Sequence, residues 1–189
     1  DGTGKTTNDY TQAARMVVGK YTPDWTGGFT NNFSFKGLDL SVFFYFVTGN
    51  SVYNGGGTYM TGGFYNGFDN QTTDLLNAWK KPGDKTNVPR VGYYYGSGAD
   101  GASTRWLYKA DYLRLKNLTL GYTLPGSATK SIGIKSARIY VSGVNLLTST
   151  KYPGDPEVNT NVVSNIAGGQ DFYTIPQPKT FTVGLNVKF

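Results

Sequence analysis

With no histidine and no cysteine among its 189 residues, the chain can do acid–base chemistry only through carboxylates, amides and hydroxyls. That absence removes the common zinc, iron and copper ligand sets, every imidazole-based triad and all thiolate chemistry. Asp155 and Glu157, separated by Pro156, form a carboxylate pair along the sequence. Glycoside hydrolysis needs two carboxyl groups opposed across the scissile bond, and proximity in a proline-rich loop does not supply that, so the pair reads as structural. Gly4-Lys5-Thr6 is like the end of a phosphate-binding loop, but the earlier glycine and the strand that should precede it are not in the chain. Asp1-Gly2-Thr3-Gly4 followed by Asp9 hints at a calcium loop, yet the ligand spacing and terminal Glu of such a loop are absent, which leaves a surface turn. No catalytic residue, metal ligand or cofactor is expected, and the chain does not read as an enzyme.

Contact chemistry is better represented. Tyr53, Tyr59, Tyr65, Trp79, Tyr93, Tyr94, Tyr95, Trp106 and Tyr108 crowd one Gly- and Asn-rich stretch. Each ring offers apolar area with a polar edge, suited to sugar or peptide, and equally able to pack the stretch against neighbouring loops. The formal charge of +6 and the pI near 9.3 do not point to nucleic acid, because the basic residues are scattered and only Lys80 and Lys81 are adjacent.

These residues must be carried by β-structure. The chain has 15 Tyr, 11 Phe and 3 Trp beside 26 Gly, with only 16% charged residues, a mixture suited to strands with large loops. Trp25, Phe29, Phe33 and Phe35 alternate with polar residues, and after Lys36-Gly37 the apolar face resumes at Leu38, Leu40, Val42, Phe44 and Phe46, which predicts a hairpin. From Tyr112 the alternation runs through Leu113 and Leu115, then changes phase to Leu118, Leu120, Tyr122 and Leu124. A β-bulge near Lys116-Asn117 would reconcile the two halves. Ala137, Ile139 and Val141 open a fourth strand, and Phe181, Val183, Leu185, Val187 and Phe189 give a fifth. The expected strands are about 25–35, 38–47, 112–124, 136–147 and 180–189, with residues 1–24 as the remainder of a loop. One short helix is expected from Thr73 to Lys80 within the long segment 48–111, and a second long loop spans 148–179.

Strands of about ten residues match the length that crosses a tilted bilayer path and exceed the usual strand of five or six. No window is apolar enough for a membrane helix, which leaves strands as the crossing elements. Connections alternate short and long, as in outer-membrane barrels with short periplasmic turns and long outer loops. Trp25 and Phe46 would then girdle the outer interface, and Phe35, Tyr122 and Phe189 the inner one. A soluble sandwich shares the alternation but not the strand length or the loop asymmetry. Five strands cannot close such a barrel, and the first residue is Asp1 rather than Met, so the chain reads as the C-terminal segment, 25–189, of a larger transmembrane β-barrel.

The residues themselves carry a family likeness. Tyr112-Leu-Arg-Leu-Lys-Asn-Leu-Thr-Leu-Gly-Tyr-Thr-Leu-Pro125 resembles a near-terminal signature of the SusC/RagA family of TonB-dependent outer-membrane transporters. Pro23-Asp-Trp-Thr-Gly-Gly-Phe29, Lys36-Gly-Leu-Asp-Leu-Ser-Val-Phe-Phe44, Val141-Ser-Gly-Val-Asn-Leu-Leu147 and Pro176-Gln-Pro-Lys-Thr-Phe181 match it in order and spacing. The resemblance implies a plugged barrel in the cell outer membrane of a Gram-negative, Bacteroidota-like bacterium. Such a barrel imports oligosaccharides or peptides with energy from the TonB complex, under a lid formed by a SusD-like surface lipoprotein. It further implies that Phe181, Val183, Leu185, Val187 and Phe189 form the signal read by the barrel-assembly machinery. The alternative is a structural or adhesive outer-membrane barrel whose loops bind other proteins.

Overall fold

The computed structural model describes residues 4, 6–7, 9–65, 69–93, 101–130, 133–160 and 168–189. Ten strands follow in chain order: β1 Trp25–Phe35, β2 Leu38–Thr48, β3 Ser51–Asn54, β4 Phe64–Tyr65, β5 Gly92–Tyr93, β6 Leu107–Lys109, β7 Tyr112–Thr123, β8 Ser136–Thr150, β9 Gln170–Asp171 and β10 Thr180–Lys188. Two short helices, α1 at Gly55–Met60 and α2 at Gly126–Thr129, and three 3-10 turns complete the described elements. The chain divides into two compact units.

One unit comprises 23–50, 110–157 and 176–189 and is built on a five-stranded antiparallel sheet of order β1-β2-β7-β8-β10. Lys36 and Gly37, at φ 47° and 86°, form the two-residue turn between β1 and β2. Positive φ at both central positions is the geometry whose twist matches a hairpin, and a Cβ on Gly37 would stand 2.7 Å from the carbonyl oxygen of Thr123. Trp25 lies opposite Thr48, Val47 opposite Tyr112, and Tyr112 opposite Thr150, so both long connections leave one end of the sheet. The Lys36-Gly37 turn and the 124–135 connection lie at the other end.

Register places one apolar series from each of the five strands on a common face. Phe33 pairs with Leu40, Leu40 with Leu120, Leu120 with Val141, and Val141 with Val183. Phe33, Phe35, Leu120, Val141, Leu147, Phe181, Val183 and Leu185 on this face are 49–74% exposed. Soluble monomers rarely expose a contiguous apolar patch of such extent. The opposite face is mostly polar and carries Thr30, Asn32, Asp39, Ser41, Thr119, Arg138, Thr182 and Lys188.

The phase change in β7 is a bulge at Lys116. Phe43 pairs with Asn117 and Phe44 with Leu115, so one residue of β7 has no counterpart on β2. The extra residue returns Leu113 and Leu115 to the apolar face shared by Leu118 and Leu120. On β8 the chain passes the bulge through Asn145, at φ 55°, and continues beyond Leu147 to Thr150.

The other unit comprises 1–22, 51–109 and 158–175. It corrects the expectation of an open loop with one helix. β3 sits between β6 and β9 in a small mixed sheet, antiparallel to β6 and parallel to β9, and β4 pairs with β5. The helix expected over Thr73–Lys80 is a 3-10 turn limited to Thr73–Asn77. Thr72 makes no capping bond, and the Trp79 N–H donates to Val88 at 3.0 Å, which draws the chain out of the helix one turn early. Trp106, 3% exposed, fills the core beside α1, where a Cβ on Gly57 would meet its ring at 2.8 Å.

Candidate functional site

The carboxylate pair read from sequence is neutralised rather than poised. On β7 the guanidinium of Arg114 donates to Asp155 and lies 2.9 Å from Glu157, while Lys116 Nζ reaches Glu157 at 2.9 Å. The Tyr112 hydroxyl donates to Glu157 at 2.6 Å, and the backbone N–H groups of Glu157 and Gln177 donate to Asp155 at 3.0 and 2.9 Å. Burial pushes the Asp155 carboxyl up, but these N–H donors and Arg114 more than offset it and hold the group below the usual carboxylate range. Arg114 is 2% exposed. A general acid would need a carboxyl kept protonated near neutral pH, and here both oxygen pairs are committed to donors. The cluster therefore anchors 151–157 to β7. Sequence reading missed Arg114 and Tyr112 as its partners.

On the polar sheet face Arg138 meets Asp39 through two hydrogen bonds, one from Nε at 2.8 Å. The guanidinium passes over Gly121, where any Cβ would collide with it. Asp9, considered for calcium, instead caps a 3-10 turn: its Oδ1 accepts from the Thr11 hydroxyl at 2.7 Å and from Thr11 N–H at 2.9 Å. Those bonds lower its pKa, led by the one from the hydroxyl. Residues 1–3 and Lys5 of the other N-terminal readings lie outside the described residues.

The aromatic candidates separate by burial. Trp106 belongs to the core, and Tyr53, Trp79 and Tyr108 are half-buried. Burial, followed by Tyr10 and Tyr59, raises the Tyr53 phenol above its ordinary value. Tyr65 pairs with Tyr93 through the backbone of β4 and β5, and Tyr94 and Tyr95 lie outside the described residues. Tyr59 alone of the described candidate rings is plainly exposed, at 43%. Its ring stands edge-on to Phe172, with centroids 5.7 Å apart, and Phe172 in turn meets Tyr173 at 4.8 Å. Phe172 and Tyr173 were not among the expected contacts. The available signal was two adjacent aromatics in an otherwise polar stretch, Gly168-Gly-Gln-Asp-Phe-Tyr-Thr174.

In β10, Phe181, Val183, Leu185 and Val187 lie along the exposed apolar face, and Phe189 follows immediately beyond the strand.

No protein-family model matches the chain. TonB-dependent receptor P3 of Formosa agariphila is 39% identical over 194 residues, covering 100% of this chain and 18% of that protein. TonB-dependent receptor SusC of Bacteroides thetaiotaomicron is 26% identical over 183 residues, covering 93% of this chain and 16% of that protein. Among solved structures, the RagAB peptide transporter superposes with a TM-score of 0.74 at 34% identity, over 92% of this chain and 18% of that one. The chain thus spans less than a fifth of the length of the relatives it matches. Matched in sequence along its whole length and in structure over 92% of it, the chain belongs to the SusC/RagA family of TonB-dependent receptors and forms the C-terminal part of their barrel.

Proposed function

We propose that this chain is part of an outer-membrane importer of bulky nutrients, oligosaccharides or peptides. The observation that carries the reading is the sheet with two unlike faces. A continuous apolar face lies uncovered on one side, and on the other stands a polar face with the Asp39–Arg138 pair. Lipid satisfies the first and an aqueous or plugged lumen the second. The likeness to a peptide transporter and to SusC supports import rather than adhesion, and relatives described as receptors and transporters support transport without chemistry on the substrate.

On this reading the connections 48–111 and 148–179 face the outside of the cell, and Lys36-Gly37 and 124–135 face the periplasm. A SusD-like surface lipoprotein closes over the outer side as a lid. The TonB complex supplies energy through parts of the protein beyond this chain. Phe181, Val183, Leu185, Val187 and Phe189 serve as the assembly signal for the barrel-assembly machinery. Tyr53, Tyr59, Tyr65, Trp79, Tyr93, Tyr94, Tyr95 and Tyr108 remain candidates for ligand or lid contact, with Trp106 assigned to packing.

The test pairs neighbouring substitutions in the full-length protein. Val183→Arg places a cation on the lipid face, at a cost of about 2–4 kcal/mol near the bilayer midplane, and should lower the outer-membrane level. Thr182→Arg places the same charge in the lumen and should leave that level unchanged. Equal tolerance of both would overturn the assignment of faces. Import itself is read from TonB-dependent uptake of labelled peptides and oligosaccharides. An assembled barrel that takes up neither would favour the adhesive alternative.

A further inference from the structure

Tyr59, from α1, and the adjacent pair Phe172 and Tyr173 come from two segments of the smaller-sheet unit and remain 43%, 39% and 47% exposed. Their rings are not a platform. Tyr59 and Phe172 stand at 83° to one another, and Phe172 and Tyr173 at 66°, so the three form a corner with differently directed walls. A sugar stacks its flat C–H face best on one open ring face or on coplanar rings. A compact cation is attracted to the face of every ring that surrounds it.

The corner is built rather than incidental. Tyr173 holds φ 54°, a region that a bulky side chain enters only when its surroundings impose it. Its hydroxyl donates to Asp69 Oδ1 at 3.0 Å, which sets a carboxylate at the rim. Burial and that bond to Asp69 both raise the Tyr173 phenol, keeping the ring neutral. Gln71 Nε2 donates to the Tyr59 carbonyl at 2.9 Å, tying this segment to α1. Gly55 leaves room for Phe172 to lie against the helix backbone, since a Cβ there would meet that ring at 3.2 Å, and Tyr173 lies against Gly56. Charge agrees with the geometry. Segments 55–60, 69–77 and 168–175 together carry Asp69, Asp74 and Asp171 and no Lys or Arg, in a chain of net charge +6.

We propose that Tyr59, Phe172 and Tyr173, with the carboxylate of Asp69, form a cation-binding aromatic corner that takes a lysine or arginine side chain of an imported peptide. The proposal rests on the import reading above and names the substrate class: basic peptides. The ammonium or guanidinium sits against the ring faces with the carboxylate beside it, and the remainder of the peptide lies outside the corner.

The experiment uses the purified full-length transporter and two blocked tetrapeptides, Gly-Ala-Lys-Ala and its norleucine counterpart, which matches the lysine stem without the charge. Calorimetry should show the lysine peptide binding about tenfold more tightly. Asp69→Asn and Tyr59→Leu should each bring the ratio of the two affinities close to one while leaving the outer-membrane level unchanged. Equal affinity for the two peptides overturns the proposal, as does a preference that survives both variants. A neutral oligosaccharide whose binding is lost in Tyr59→Leu and kept in Asp69→Asn would assign the corner to sugar instead, and also overturns it. Uptake of the two peptides by cells separates the two levels: if both enter equally well, import stands while the corner falls, and if no peptide or oligosaccharide enters, the import reading falls with it.

Discussion

Arg114 decides more at the residue scale than any side chain the sequence singles out. It is buried, it joins two carboxylates, and removing it would strand both beside a single lysine. Breaking such a buried cluster from one side costs about 3–5 kcal/mol, because the remaining charges keep their desolvation penalty without their partner. Arg114→Met in the full-length protein should therefore lower the temperature at which the barrel loses its compact mobility on a denaturing gel, and an unchanged temperature would remove Arg114 from the framework. Asp155 adds a pH dependence with a definite sign. Its carboxyl titrates lower in the folded protein than in the unfolded chain. Its stabilising contribution is thus complete above the unfolded pKa, near 3.8, and is lost as pH falls through the folded value. Stability should be flat with respect to this group at neutral pH and decline in acid below about 4, and Asp155→Asn should flatten that acid decline. The structural role of the Asp155 and Glu157 pair was legible beforehand but its partner was not, because alternation marks Arg114 only as a polar-face residue and Asp155 lies 41 positions away.

Elements with a period were legible, and elements without one were not. The large strands announce themselves because each carries enough residues to show alternation, and the phase break between Leu115 and Leu118 locates the Lys116 bulge. The smaller sheet is assembled from β3 with four residues, β6 with three and β9 with two, too few to display any period. Its partners are also remote, since β3 meets β9 across more than a hundred residues of chain. The bulge itself yields a prediction. Deleting Lys116 would make Leu115 and Asn117 neighbours opposite Phe44 and Phe43, so pairing with β2 becomes continuous while Leu113, Leu115, Leu118 and Leu120 all stay on the apolar face. The deletion should therefore reach the outer membrane at about the level of Lys116→Gln, which keeps the residue count and loses the charge that meets Glu157 and the Tyr45 ring. A level far below that of Lys116→Gln would mean that Lys116 is a regular member of the strand and not the bulged residue. Gly37→Ala probes the turn: at φ 86°, with the Thr123 carbonyl 2.7 Å from the new methyl group, it should cost about 1–3 kcal/mol.

For the whole molecule, the sheet poses a closure problem that its own residues cannot solve. β1 and β10 each pair on one side only among the described residues, so two rows of backbone N–H and C=O groups stand open. In water such edges recruit other chains, and in hydrocarbon every unmet group costs several kcal/mol. The exposed apolar face compounds this, because it has no solvent other than lipid in which exposure is favourable. Both liabilities vanish if further strands continue the sheet from β1 and from β10 until it closes, and the relatives are more than five times as long as the matched segment. Closure therefore belongs to the complete receptor, while the register and the paired faces are already set within this segment. The 189-residue chain produced alone should form aggregates or mixed oligomers in detergent. Supplied within the full-length protein, the same strands should give a single heat-modifiable species. A stable, monodisperse monomer of the isolated chain in aqueous buffer would contradict the lipid assignment of the apolar face, since it would show that water tolerates that surface.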